Sequence, residues 1–172
     1  MVEVVLRPME PEDLAVLYQI ERERSAWAVS SSGIPYSKYV LKQFLANQPA
    51  DIFQSGELRL TIQDLDTGDA VGVADLYGYN PMSLKAEVGI ALLKQKEGRG
   101  YARDALNELM KLAQRKFRIH QLYAYIKVSN VRSIKLFQSA GFCITATLKD
   151  WVFEDGAYHD VYLLQKFFQK SE

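Results

Sequence analysis

Ala86-Glu87-Val88-Gly89-Ile90-Ala91-Leu92 and, shortly after it, Glu97-Gly98-Arg99-Gly100-Tyr101-Ala102 decide the reading of this chain. The first stretch is small and apolar apart from Glu87, which predicts a strand, Ala86 to Leu93, in the middle of a sheet. After the second, Ala102, Ala105, Leu106, Leu109, Leu112 and Ala113 recur at helical spacing, with Arg103, Asp104, Asn107, Glu108 and Lys111 opposite. Gly98 and Gly100 therefore sit in a strand-to-helix turn. A helix start leaves backbone N–H groups unpaired and carries about half a positive charge. Glycines just before it let an anion approach the backbone with no Cβ in the way. Lys96 and Arg99 add positive charge, so the turn reads either as a phosphate cradle or as an ordinary tight turn. Two nucleotide loops are excluded. A Walker loop needs Lys-Ser/Thr after its last glycine, where this chain has Tyr101-Ala102, and a dinucleotide fingerprint needs a third glycine where it has Arg103.

Towards the N-terminus, Val4 to Arg7 reads as a first strand ended by Pro8, and Pro11 opens a helix with Glu12 and Asp13 near its positive end. A second helix is expected from Ser37 to Asn47, packing Val40, Leu41, Phe44 and Leu45. Strands follow at Glu57 to Gln63 and Ala70 to Tyr79, joined by the turn Asp66-Thr67-Gly68-Asp69. Beyond the long helix, Leu122, Ala124, Ile126 and Val128 alternate as a strand, and Asn130 suits the cap of a short helix ending at Gly141. Phe142 to Lys149 and Tyr158 to Phe167 close the chain as strands around Glu154-Asp155-Gly156. Strand-helix-strand flanked by hairpins means a mixed sheet with helices on its faces, class α+β. No linker or repeat divides the chain, so one domain is expected over residues 1–172.

Apolar residues make up 48% and charged residues 24%, an ordinary globular composition. Lys plus Arg and Asp plus Glu stand at 21 each, so the chain has no net-basic character and nucleic acid is not an expected partner. No window approaches a membrane span and the first residues do not form a signal peptide, which suggests a cytoplasmic protein. The single cysteine, Cys143, has no internal disulfide partner and reads as a buried small hydrophobe. No metal site is expected, because His120 and His159 lack ligand spacing.

The two opening stretches together resemble the central motif of the GNAT N-acetyltransferase superfamily. Asn130-Val131-Arg132-Ser133 through Phe137, then Ala140-Gly141-Phe142, resembles that family's following motif. Leu6-Arg7-Pro8 through Asp13 resembles its start. Asp155-Gly156-Ala157-Tyr158-His159-Asp160 is similar to the branch of spermidine and ribosomal-protein N-terminal acetyltransferases. The ordered set covers nearly the whole chain. The resemblance implies a GNAT-like, mostly antiparallel sheet with a splay between the fourth and fifth strands, acetyl-CoA as cosubstrate, and a homodimer. It also implies a cofactor site: pantetheine along Gly89, Ile90, Ala91 and Leu92, the diphosphate on Lys96, Glu97, Gly98, Arg99, Gly100, Tyr101 and Ala102, and Asn130, Ser133, Lys135 and Phe137 nearby. Two positions depart from the pattern. Glu97 stands where the family has Gln or Arg, so it is expected to point away and leave the anion to backbone N–H groups. Phe137 replaces the tyrosine proposed as general acid in many members.

An alkyl amine has a pKa of about 10.4, so attack near pH 7 requires a deprotonation costing roughly 4–5 kcal/mol. Glu87, alone on an apolar strand and matching an acid of related members, is the candidate base; the alternatives are a solvent-facing residue or a structural ion pair. Backbone N–H groups of its strand are candidates to stabilise the oxyanion. The leaving thiol has a pKa near 8.5, so the missing tyrosine is tolerable, and a water, Tyr125 or Tyr162 could serve. Asp75 and Tyr77 on the neighbouring strand, with Trp27 and Tyr36 at an early loop, suit an ammonium or polyamine acceptor. A peptide N-terminal amine is the alternative acceptor. The alternative of another class, favoured by Phe137, is a non-catalytic acyl-CoA sensor.

Overall fold

The computed structural model describes residues 2–23, 35–49 and 51–168. In chain order they form β1 (Val4–Pro8), a 3-10 turn (Pro11–Asp13), α1 (Leu14–Arg22), α2 (Lys38–Ala46), α3 (Ile52–Ser55), β2 (Leu58–Asp64), β3 (Ala70–Asn80), β4 (Lys85–Leu92), a second 3-10 turn (Lys94–Lys96), α4 (Tyr101–Phe117), β5 (Gln121–Lys127), α5 (Val131–Ser139), β6 (Cys143–Glu154) and β7 (Ala157–Phe167). The sheet has seven strands in the order β1-β2-β3-β4-β5-β7-β6. Every neighbouring pair is antiparallel except β4 and β5, because the connection between those two runs through α4, a crossover that returns the chain in the same direction.

Strand alternation sends successive side chains to opposite faces. On one face Ile62, Ala74, Leu76, Ala86, Val88, Leu122, Ala124 and Ile126 pack with Ala105, Leu106, Leu109 and Ala113 of α4 and with Ile134 and Phe137 of α5. On the other, Val73, Ala91 and Leu93 pack with Leu17 and Ile20 of α1 and Leu41 of α2. The mixed sheet and the helices on both faces follow the sequence reading. So does the central position of β4, which lies between β3 and β5.

Three details differ from expectation. Cys143 is exposed: it opens β6 at the sheet edge, and the apolar run buries Phe142 instead. Val40 is also exposed, and among the described residues α2 buries Leu41 alone. Finally, β6 continues to Glu154 through a bulge between Leu148 and Val152. Asp150 there has φ +51, and Asp160 across the hairpin accepts from the Asp150 N–H at 3.1 Å and from Lys149 Nζ at 2.6 Å.

Candidate active site

β4 and β5 pair only over Lys85–Gln121, Ala86–Leu122 and Glu87–Tyr123. Beyond Glu87 the strands part: β4 continues against β3, from Val88–Leu76 to Leu92–Gly72, while β5 continues against β7. One edge of Gly89, Ile90, Ala91 and Leu92 is thereby left without a strand partner, at a place where the side chains are half-buried. An open backbone edge in the middle of a sheet suits an extended ligand with amide groups.

At the far end of β4 lies the glycine turn. Gly98 and Gly100 have φ +76 and +100, values that favour glycine, and a Cβ on Gly100 would meet nothing within 4 Å. The backbone N–H groups of Gly98, Arg99, Gly100, Tyr101 and Ala102 find no backbone acceptor among the described residues. The turn thus presents a row of unsatisfied donors at the N-terminus of a 17-residue helix, with space before it. The Tyr101 side chain does not face that space. It is buried, and its hydroxyl donates to Asp64 Oδ2 at 2.5 Å, a bond that raises the phenol pKa and lowers that of the carboxyl. Lys96 Nζ lies 3.5 Å from Asp69 and 5.9 Å from the Tyr101 ring centroid. Glu97 Oε2 accepts from Arg132 Nη1 at 2.6 Å, so its charge is countered from the first turn of α5.

The face carrying α1 and α2 also carries Glu87. Register puts Tyr77 directly opposite Glu87 on one side and Tyr123 on the other, with Asp75 opposite Gly89. Glu87 is half-buried, and desolvation alone pushes its carboxyl above the usual range. Among the described residues it has no hydrogen bond or ion pair. Asp75 is the reverse case, buried and fully engaged. It accepts from Arg59 Nε at 2.5 Å, Arg59 Nη2 at 3.2 Å and the Tyr77 hydroxyl at 2.5 Å, and that hydroxyl accepts from Arg59 Nη2 at 2.8 Å. Burial opposes the Arg59 charge, but Asp75 and Tyr77 hold its pKa above the ordinary value; burial and Asp75 push the Tyr77 phenol up. The Tyr77 ring lies against β4, 3.0 Å from where a Cβ on Gly89 would stand. From Glu87 the aromatic surface continues through Tyr123 to Tyr125, rings edge-on at 5.7 Å, and on to Trp151, stacked with Tyr125 at 6.0 Å. Trp151 comes from the β6 bulge.

A family model described as "Acetyltransferase (GNAT) domain" matches residues 3–143. The chain belongs to the GNAT acetyltransferase family. It is an acyltransferase by membership, and acetyl-CoA is the acetyl donor of that family. It is 25% identical to a spermidine N(1)-acetyltransferase of Vibrio cholerae over 99% of this chain and 98% of that protein. An L-amino acid N-acetyltransferase of Escherichia coli is 24% identical over 96% of this chain and 99% of that one. The V. cholerae spermidine N-acetyltransferase solved with CoA and spermine has the same fold, with a TM-score of 0.84 at 23% identity over 96% of this chain and 95% of that chain.

The remaining GNAT positions divide. The Asn130 side chain accepts from the Ser133 N–H at 3.1 Å and caps α5, so its amide oxygen is already used. Ser133 and Lys135 lie on the same helix at the α5 side of the splay. Phe137 is buried, edge-on to Phe142 at 5.0 Å, and its ring belongs to the core. Tyr36 is partly exposed, its backbone N–H 3.5 Å from Glu21 Oε2. Trp27 lies outside the described residues. Sequence reasoning missed Arg59, Tyr123, Arg132 and Trp151. Of these only Tyr123 had a signal, because strand alternation places it with Tyr125 on the face opposite Leu122 and Ala124.

Proposed function

We propose that this chain moves the acetyl group of acetyl-CoA to a primary amine of a polyamine such as spermidine, as one acetyltransferase domain, with Glu87 as general base. The observation that carries the reading is the unpaired, desolvated Glu87 carboxylate, set between Tyr77 and Tyr123 where β4 and β5 begin to part. A carboxyl whose pKa is raised by burial is a better acceptor for an ammonium proton. The β4 edge from Gly89 to Leu92 suits the pantetheine amides, and its N–H groups suit the carbonyl oxygen that gains charge. The N–H row of Gly98 to Ala102, with Lys96 and Arg99 beside it, suits the diphosphate, and Ser133 and Lys135 of α5 are assigned to the rest of the cofactor.

Tyr77, Tyr123, Tyr125 and Trp151 give the acceptor an aromatic wall, which attracts a cation by the faces of its rings. Asp75 then acts through Arg59 and Tyr77 rather than by touching the amine. The likeness to spermidine acetyltransferases supports a polyamine over other amines.

Steady-state assays with acetyl-CoA and spermidine, spermine, amino acids and peptides bearing free N-termini test the proposal. Thiol release with polyamines at the highest kcat/KM is the expected result. Preference for a peptide N-terminus or an amino acid would replace the acceptor. CoA binding with no thiol release on any amine would overturn the catalytic reading in favour of a sensor.

A further inference from the structure

Glu97 is the feature that fits a diphosphate cradle worst, because a carboxylate beside a polyanion is repelled. The structure pairs it with a guanidinium, and the position of that group says more than the pairing. Arg132 is the second residue of α5, on the β5 side of the splay, while Glu97 precedes the glycine turn on the β4 side. Their ion pair therefore bridges the mouth of the splay. Arg132 Nη2 stands 3.5 Å from where a Cβ on Gly98 would be, beside the first of the unsatisfied N–H groups. A guanidinium has five N–H donors, and among the described residues one of those on Arg132 is used.

We propose that Arg132 is a phosphate-binding residue of this site and that Glu97 is its positioning residue. This rests on the cradle assigned above. The planar guanidinium fork matches phosphate oxygens two at a time, and its free edge lies next to the backbone donors. Both side chains are exposed, at 62% and 42%, so their pairing is a weak surface ion pair that an incoming dianion can displace. What the pair does is hold the fork at the turn before ligand arrives and cancel the carboxylate that would repel it. The glutamate thus becomes compatible with the cradle because Arg132 is present.

Calorimetric Kd values for acetyl-CoA, acetyl-dephospho-CoA and acetyl-pantetheine, with wild type, Arg132→Ala, Glu97→Gln and the double variant, test this. Arg132→Ala is expected to weaken acetyl-CoA binding about tenfold, the scale of one charge-assisted contact. The loss should vanish with acetyl-pantetheine. Its persistence with acetyl-dephospho-CoA places the contact on the diphosphate, and its disappearance there places it on the ribose phosphate; both support the proposal. Adding Glu97→Gln to Arg132→Ala should recover part of the loss, because the unpaired carboxylate goes. Arg132→Ala without effect, an equal loss with acetyl-pantetheine, or no recovery in the double variant would each overturn it. A wild type that binds no acetyl-CoA would overturn the cradle itself, a result distinct from these.

Discussion

Asp75→Ala separates two roles for that residue. If Asp75 anchored the acceptor ammonium, its loss would raise the KM for the amine and leave the fold alone. The structure predicts the opposite weighting. Asp75 is 4% exposed and accepts three hydrogen bonds, two from Arg59, whose side chain is 23% exposed, and one from Tyr77. Removing one partner of a buried pair costs about 3–5 kcal/mol, since the other charge is left uncompensated. The partial opening of Arg59 to water puts this case at the low end, about 3 kcal/mol. At about 2–4 °C per kcal/mol for a chain of this size, Tm should fall by roughly 6–12 °C. Calorimetry at pH 7 reads this directly. Arg59→Met combined with Asp75→Leu removes both charges and should be milder than Asp75→Ala alone. A Tm within about 2 °C of wild type for Asp75→Ala, given the scatter of such values, would refute the reasoning and return Asp75 to the acceptor site.

Glu87→Gln should lower kcat/KM by about 10²–10⁴, the usual contribution of a general base, and remove the acid limb of the pH profile, a limb that should lie above the ordinary glutamate range. The same change should raise Tm at neutral pH: a folded-state pKa raised by burial contributes stability below the unfolded value and loses it as pH rises, so the gain should close as pH falls below about 4. Gly89→Ala would set a Cβ 3.0 Å from the Tyr77 ring, so the ring must shift; kcat should fall with Tm nearly unchanged, measured on the same preparation. Trp151→Ala should raise the KM for spermidine a few-fold, at the roughly 0.5–2 kcal/mol of one cation–π contact, and leave the Kd for acetyl-CoA untouched.

Sequence periodicity carried most of this fold because each signal is local. The alternation of β5, the helical spacing of α4 and the glycines before it lie within a few turns of one another, and the unsatisfied N–H row follows from that local order. What could not be read depends on register. Asp75 and Tyr77 were visible as polar residues on a strand, but their capture by Arg59 requires β2 to align Arg59 with Asp75. Trp151 reaches the site from the bulge at Asp150, whose N–H is held by Asp160 across the hairpin, a contact no window of β6 contains. The Glu97–Arg132 pair spans 35 positions and exists because the splay brings α5 beside the turn.

Phe137 shows how these pieces bear on the chemistry. Phenylalanine there is buried, packs edge-on to Phe142 and brings no hydroxyl that would have to be satisfied. The acid that a tyrosine would supply acts on the leaving thiolate, whose conjugate acid has a pKa near 8.5, so departure near pH 7 needs little help. The amine is the difficult partner, with roughly 4–5 kcal/mol to spend on deprotonation. Investment follows that asymmetry. Among the described residues of this face Glu87 is a half-buried carboxylate with no hydrogen bond or ion pair, aligned with Gly89 and the open β4 edge, while the tyrosines are divided. Tyr162 packs with the core on the α4 and α5 face, and Tyr125 stands on the face of Glu87, partly exposed beside Trp151. A proton released to the thiolate from the Glu87 side would therefore meet Tyr125 or solvent before Tyr162. Tyr125→Phe should accordingly slow turnover more than Tyr162→Phe, and the reverse order would place the proton's exit on the helix side of the sheet.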